Sequence, residues 1–148
     1  MAIERNAHAT WEGDLRGGTG RFDVGSGAIT GQQVTYGSRF EQPDGKTSPE
    51  ELIAAAHATC FSMFLSGVLT RAGHPPARLE TDAVCTLSQT DAGNQITSMR
   101  LTVRGEVEGV DDDAFQAAAQ EAKEGCPVSS ALADSIEISL DASLTAPV

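Results

Sequence analysis

Ser48-Pro49-Glu50-Glu51-Leu52-Ile53-Ala54-Ala55-Ala56-His57-Ala58-Thr59-Cys60-Phe61-Ser62-Met63-Phe64-Leu65 opens as a helix and stays one. Ser48 is a good N-cap, Pro49 suits the first helical position, and Glu51, three residues after the cap, completes a capping box. The pattern runs to about Ala72, where Gly73 and Pro75-Pro76 stop it. Apolar residues occupy nearly every face, which predicts a central helix covered by protein on most sides. The stretch Leu52 to Leu69 is broken by His57, Thr59, Ser62, Ser66 and Gly67 and flanked by carboxylates, so it reads as a buried helix rather than a membrane span.

Upstream, short β-like runs alternate with glycine turns. Strands are predicted at Ala7–Trp11, Gly20–Val24 and Gln33–Ser38, with Gly17-Gly18-Thr19-Gly20 and Gly25-Ser26-Gly27 between them. These glycines make a poor phosphate loop, because no helix follows them directly and no Gly-Lys-Ser/Thr triplet occurs. Downstream, Arg78–Gln89 and Gln95–Glu108 form a hairpin around Asp91-Ala92-Gly93-Asn94. A second helix starts near Asp111–Asp113 and ends at Gly125, Cys126-Pro127 opens a short helical piece to about Ala133, and Ile136–Ser143 alternates as a last strand. The order predicts an α+β fold in a single domain, 1–148.

A net charge of −11 opposes both a phosphate backbone and an anionic bilayer. Five Phe, one Trp and one Tyr are too few to build stacking platforms for single-stranded nucleic acid. Neither nucleic acid nor membrane is therefore expected as a partner. Met1-Ala2-Ile3-Glu4-Arg5-Asn6 has no apolar h-region or cleavage site, which makes the cytoplasm the expected location.

Cys60, Cys85 and Cys126 are an odd set at wide spacing, unlike a secreted disulfide framework. Cys60 lies mid-helix, where a buried thiol is inert unless a cation is near. Cys126 precedes a proline-started helix whose amides would stabilise a thiolate; alternatively it is only the cap of a helix–helix corner. Cys85, on an alternating strand, reads as core filler. Arg39, in Tyr36-Gly37-Ser38-Arg39-Phe40, either reaches solvent or is held by a carboxylate inside the fold. Glu50 is the candidate carboxylate, and otherwise a first-turn acid stabilised by the helix dipole. His57, three residues before Cys60, shares its helix face and is a candidate base or metal ligand. No Cys-x-x-Cys or His-x-x-x-His spacing supports zinc.

Residues 48–63 together with Gly125-Cys126-Pro127-Val128-Ser129 resemble the OsmC/Ohr family of osmotically inducible and organic-hydroperoxide-resistance proteins. His8-Ala9-Thr10-Trp11-Glu12-Gly13-Asp14 and residues 36–40 resemble its OsmC branch, and the likeness covers essentially the whole chain. The resemblance implies antiparallel sheets wrapped around a long central helix, in an intertwined homodimer with active sites at the interface. It implies a peroxidatic Cys60, a resolving Cys126, and an Arg39–Glu50 pair that activates Cys60. In the Ohr branch the arginine comes earlier in the chain, and Arg21 is near that place here.

The implied activity is thiol-dependent reduction of organic hydroperoxides to alcohols, in oxidative and osmotic stress defence. It needs no bound cofactor, and an external dithiol, lipoyl groups in the Ohr branch, resets the enzyme. Ten helical residues separate Glu50 from Cys60, about 15 Å of rise, so a twofold pair of antiparallel helices is expected to bring Glu50 of one chain to Cys60 of the other. The rival reading is a non-catalytic dimeric binding protein for a small apolar or thiol ligand.

Overall fold

The computed structural model describes residues 1–145 and divides into two compact units, 1–52 and Ile53 onward. In the first, β1 (Ala7–Glu12), β2 (Thr19–Val24) and β3 (Gln32–Val34) form an antiparallel sheet in the order β1-β2-β3. Trp11 pairs with Gly20 across β1–β2. A Cβ on Gly20 would lie 2.8 Å from the indole, so only glycine lets the ring settle there. The remainder of β1 is exposed along its whole length.

The strand expected over Gln33–Ser38 stops at Val34, and Tyr36–Phe40 is instead a short helix, α1. Local chemistry decides this. Thr35 Oγ1 accepts from the Ser38 N–H at 3.1 Å and Ser38 Oγ accepts from the Thr35 N–H at 2.9 Å, a reciprocal capping box.

Helix α2 (Pro49–Arg71) begins where expected, with Ser48 Oγ accepting from the Glu51 N–H at 3.1 Å. It is long and apolar enough, by length and composition, to cross a membrane. Its Phe61, Leu65 and Leu69 instead enter the core of the second unit beside Met99, Leu101 and Val103. Cover on most sides does not follow within one chain: Ala55, Ala56 and Thr59 are exposed and Met63 is 71% exposed. One chain supplies a packing partner for one stripe of the helix only.

The second sheet is β4 (Arg78–Thr90), β5 (Gly93–Glu106) and β6 (Glu137–Leu144), in the order β4-β5-β6. The β4–β5 hairpin turns on Asp91-Ala92, with Gly93 at φ +99°. A register shift between Thr86 and Leu87 leaves Thr97 as an extra residue. That bulge keeps Ile96 and Met99, three apart, both against the core.

β6 lies parallel to β5, which corrects the expectation of wholly antiparallel sheets. The two strands are joined by helices α3 (Asp112–Gly125) and α4 (Pro127–Leu132), and a helical crossover delivers the chain back to the starting end of the sheet. Asp111 caps α3 through the Ala114 N–H at 2.8 Å, and Phe115, Ala119 and Ala122 bury its inner face. The Phe115 ring lies against Gly105, where a Cβ would meet it at 2.6 Å.

Phe115→Ala removes that ring from a fully buried site and is expected to cost about 3–5 kcal/mol, read as a lower urea midpoint.

Candidate functional site

Two pairs of the four candidate residues are made by the fold, one in each unit. In the first unit α1 presents Arg39 to Glu50. Arg39 Nη2 donates to Glu50 Oε1 at 2.7 Å, and Nε donates to Oε1 and Oε2 at 3.1 and 3.3 Å. The glutamate is 7% exposed and the guanidinium carbon sits 5.2 Å from the centre of the Phe40 ring. A fork engaged at both carboxylate oxygens is fixed in direction as well as place. The arginine is thus held by a carboxylate, the second of its two expected states. Arg21 is engaged elsewhere, donating to the Gly31 carbonyl at 3.4 Å.

In the second unit the sulfurs of Cys60 and Cys126 lie 3.1 Å apart, with a hydrogen bond from Cys126 Sγ to Cys60 Sγ. No disulfide joins them, and Cys126 is 0% exposed. Gly125 makes this approach possible. The Phe64 ring, one turn after Cys60, rests on its Cα side, where a Cβ would meet ring carbons at 2.5 and 2.6 Å. Cys85 faces the second unit's core opposite Met99, as its alternating strand implied.

Cys126 is the N-cap of α4 and makes no side-chain cap hydrogen bond. The Val128 backbone in the first turn of α4 favours the ionised form of Cys60. Burial is the main influence on the Cys60 thiol and pushes its pKa up; the hydrogen bond with Cys126 adds to this, and the Val128 amide pulls the other way. A reactive thiolate at Cys60 thus needs more positive charge than its own unit provides through one amide.

His57 is neither exposed nor arranged as a ligand. Its Nε2 is 2.7 Å from Ser129 Oγ, and among the described residues no group of three His, Cys, Asp or Glu side chains is placed to hold a metal ion. Val128 and Ser129 were given no role from sequence. The signal was present in Cys126-Pro127-Val128-Ser129: residues two and three past a cap face back over the first helical turn.

Two thiols are thus in contact at a helix junction of the second unit. Residues 42–141 match the family of OsmC-like proteins. Peroxiredoxin OsmC of Escherichia coli (strain K12) is 44% identical over 141 residues, 95% of this chain and 96% of that protein, and peroxiredoxin OsmC of Shigella flexneri matches equally. The chain belongs to the OsmC-like family. Two solved structures share the fold. One is an organic hydroperoxide resistance protein OsmC of Legionella pneumophila (21% identity, TM-score 0.75, 97% of this chain and 99% of that one). The other is the organic hydroperoxide resistance protein OhrB of Bacillus subtilis (22%, 0.74, 93% and 98%). Membership supports a redox role of the peroxidase type.

Gly125→Ala is expected to cost about 1–3 kcal/mol by overpacking against Phe64 and to slow Cys60–Cys126 disulfide formation, followed by loss of free thiols under mild oxidant. Burial holds the His57 pKa below its ordinary 6.5. The unfolded chain therefore binds more protons near that pH, so stability from this group is complete above about 6.5 and falls as the pH drops below it. Urea midpoints at pH 7.5 and 5.5 are expected to show that fall in wild type and less of it in His57→Gln.

Proposed function

We propose that this chain is a thiol peroxidase that reduces organic hydroperoxides to alcohols with Cys60 and Cys126. The observation that carries the reading is the 3.1 Å contact between two sulfurs 66 residues apart. The Cys60 thiolate attacks the O–O bond of the hydroperoxide. One oxygen stays on sulfur as a sulfenic acid and the other leaves with its alkyl group, taking a proton to become the alcohol. Cys126 then displaces the hydroxyl as water and forms the disulfide, which protects Cys60 from over-oxidation. An external dithiol, with lipoyl groups as the favoured class, restores both thiols, and no bound cofactor takes part.

The positive charge is assigned to Arg39, oriented by Glu50, acting to hold Cys60 ionised and to hydrogen-bond the peroxide oxygens as charge develops. The working form is a homodimer in which a second copy supplies this pair. The ten-residue spacing of Glu50 and Cys60 along α2 supports that, as does the open apolar strip of Ala55, Ala56 and Met63. Phe64 on α2, partly buried one turn after Cys60, supplies apolar surface that favours alkyl hydroperoxides over hydrogen peroxide.

Turnover of cumene hydroperoxide and of hydrogen peroxide, with dihydrolipoamide as reductant, tests the reading. Wild type is expected to prefer the organic peroxide, Cys60→Ser to lose all turnover, and Cys126→Ser to show at most a slow or single-turnover reaction. Arg39→Ala and Glu50→Gln are each expected to lower the rate about 10²–10³-fold. No turnover, with Cys60 still reduced after excess peroxide, would transfer the protein to the class of dimeric binding modules.

A further inference from the structure

The reaction just described makes no use of His57, yet this ring is 0% exposed, and Ser129, which it meets at 2.7 Å, is 2% exposed. A hydrogen-bonded polar pair in a core adds little stability over an apolar pair of the same shape. Its location is more informative than its energy. His57 precedes Cys60 by three residues on α2, and Ser129 follows Cys126 by three on the α4 side. Three residues are about 4.5 Å of helix axis. The same two segments are therefore tied twice, by two contacts roughly one turn apart.

A single contact would leave α4 free to pivot about the sulfurs, whereas two fix both its distance and its rotation. This helix needs outside support. It has six residues and a cap without a side-chain hydrogen bond, and so short a helix does not sustain itself.

We propose that the His57–Ser129 hydrogen bond is a positioning clamp, which holds the first turn of α4 on α2 so that Cys126 remains in reach of Cys60 for disulfide formation. The inference rests on the two-cysteine reading above. In the clamped step the Cys60–SOH and Cys126–SH groups become a disulfide and water: the S–O bond breaks, the S–S bond forms, and the thiol proton leaves with the hydroxide. A Cys60 sulfenic acid that Cys126 fails to reach is exposed to a second hydroperoxide, which would carry it to the sulfinic acid and release another alcohol.

The ring's two nitrogens show which substitution restores the clamp. Nε2 makes the contact, while Nδ1 is buried without a hydrogen-bond partner. The amide of glutamine extends to the place of Nε2, and that of asparagine only to the place of Nδ1. Glutamine is also the nearer of the two to histidine in volume, so Ser129→Ala, which removes only a hydroxyl, is the variant that separates the hydrogen bond from space filling.

The test is the thiol–disulfide equilibrium of the Cys60–Cys126 pair in glutathione redox buffers, on the full chain. It compares wild type, Ser129→Ala, His57→Asn, His57→Gln and the Ser129→Ala/His57→Asn double variant, each checked for native circular dichroism. Ser129→Ala and His57→Asn are each expected to reduce the effective concentration of Cys126 at Cys60 about tenfold, as for loss of one buried hydrogen bond. The double variant is expected to fall no further than the weaker single one, because both remove one interaction. His57→Gln is expected to retain most of the wild-type value. A wild-type value in Ser129→Ala, or a loss in His57→Gln as large as in His57→Asn, would overturn the clamp. No peroxide enters this measurement, so an inactive peroxidase and an absent clamp give separate results.

Discussion

Two segments far apart in the chain must meet through their side chains, the middle of α2 and the corner between α3 and α4. The second unit's chemistry depends on that approach. Phe64 against Gly125 sets how near the two can come, the sulfurs of Cys60 and Cys126 occupy the point of contact, and His57 with Ser129 closes it one turn away. The β4–β5 sheet supplies the opposing wall, through Met99, Leu101 and Val103 beneath Phe61, Leu65 and Leu69. The parallel return of β6 requires a helical crossover, and the corner carrying Cys126 lies within that crossover. Topology and site are one requirement here: the crossover that lets β6 join β5 also brings the second thiol to the first.

Charge is the second constraint. A chain with a net charge of −11 is a poor medium for a thiolate, and burial at Cys60 makes it poorer. Within the second unit the Val128 backbone offsets part of this without a formal charge, while in the first unit Arg39 is bound to a buried carboxylate. An arginine held at both carboxylate oxygens has little freedom left to lose when it meets a reacting group, which is the value of preorganisation in a site where charge develops.

What the sequence disclosed followed from the range of the forces involved. Helix α2 was legible from both ends, because Ser48-Pro49 and Gly73 act within one turn. The same local logic was missed at Thr35, where Ser38 completes a capping box that turns the end of a strand-like run into α1. β-propensity gave the wrong answer there because two hydroxyls outweighed it. The parallel register of β6 and the bulge at Thr97 are decided by partners elsewhere in the sheet, and alternation within a single strand carries no record of them. Arg39 and Glu50 were each ambiguous alone, and Cys60 with Cys126 gained meaning only as a combination. The position of Ser129 in a first helical turn is legible, but its pairing with His57, 72 residues away, is not.

The glycines at 105 and 125 share a feature with a consequence for how this sequence can vary. Each receives an aromatic ring, Phe115 and Phe64, at a distance that leaves no volume for a methyl group. Changes within each pair are therefore coupled. A methyl group at the glycine overpacks against the ring, a smaller side chain at the phenylalanine leaves a cavity, and each change offsets part of the cost of the other, so the two together cost less than the sum of the two alone.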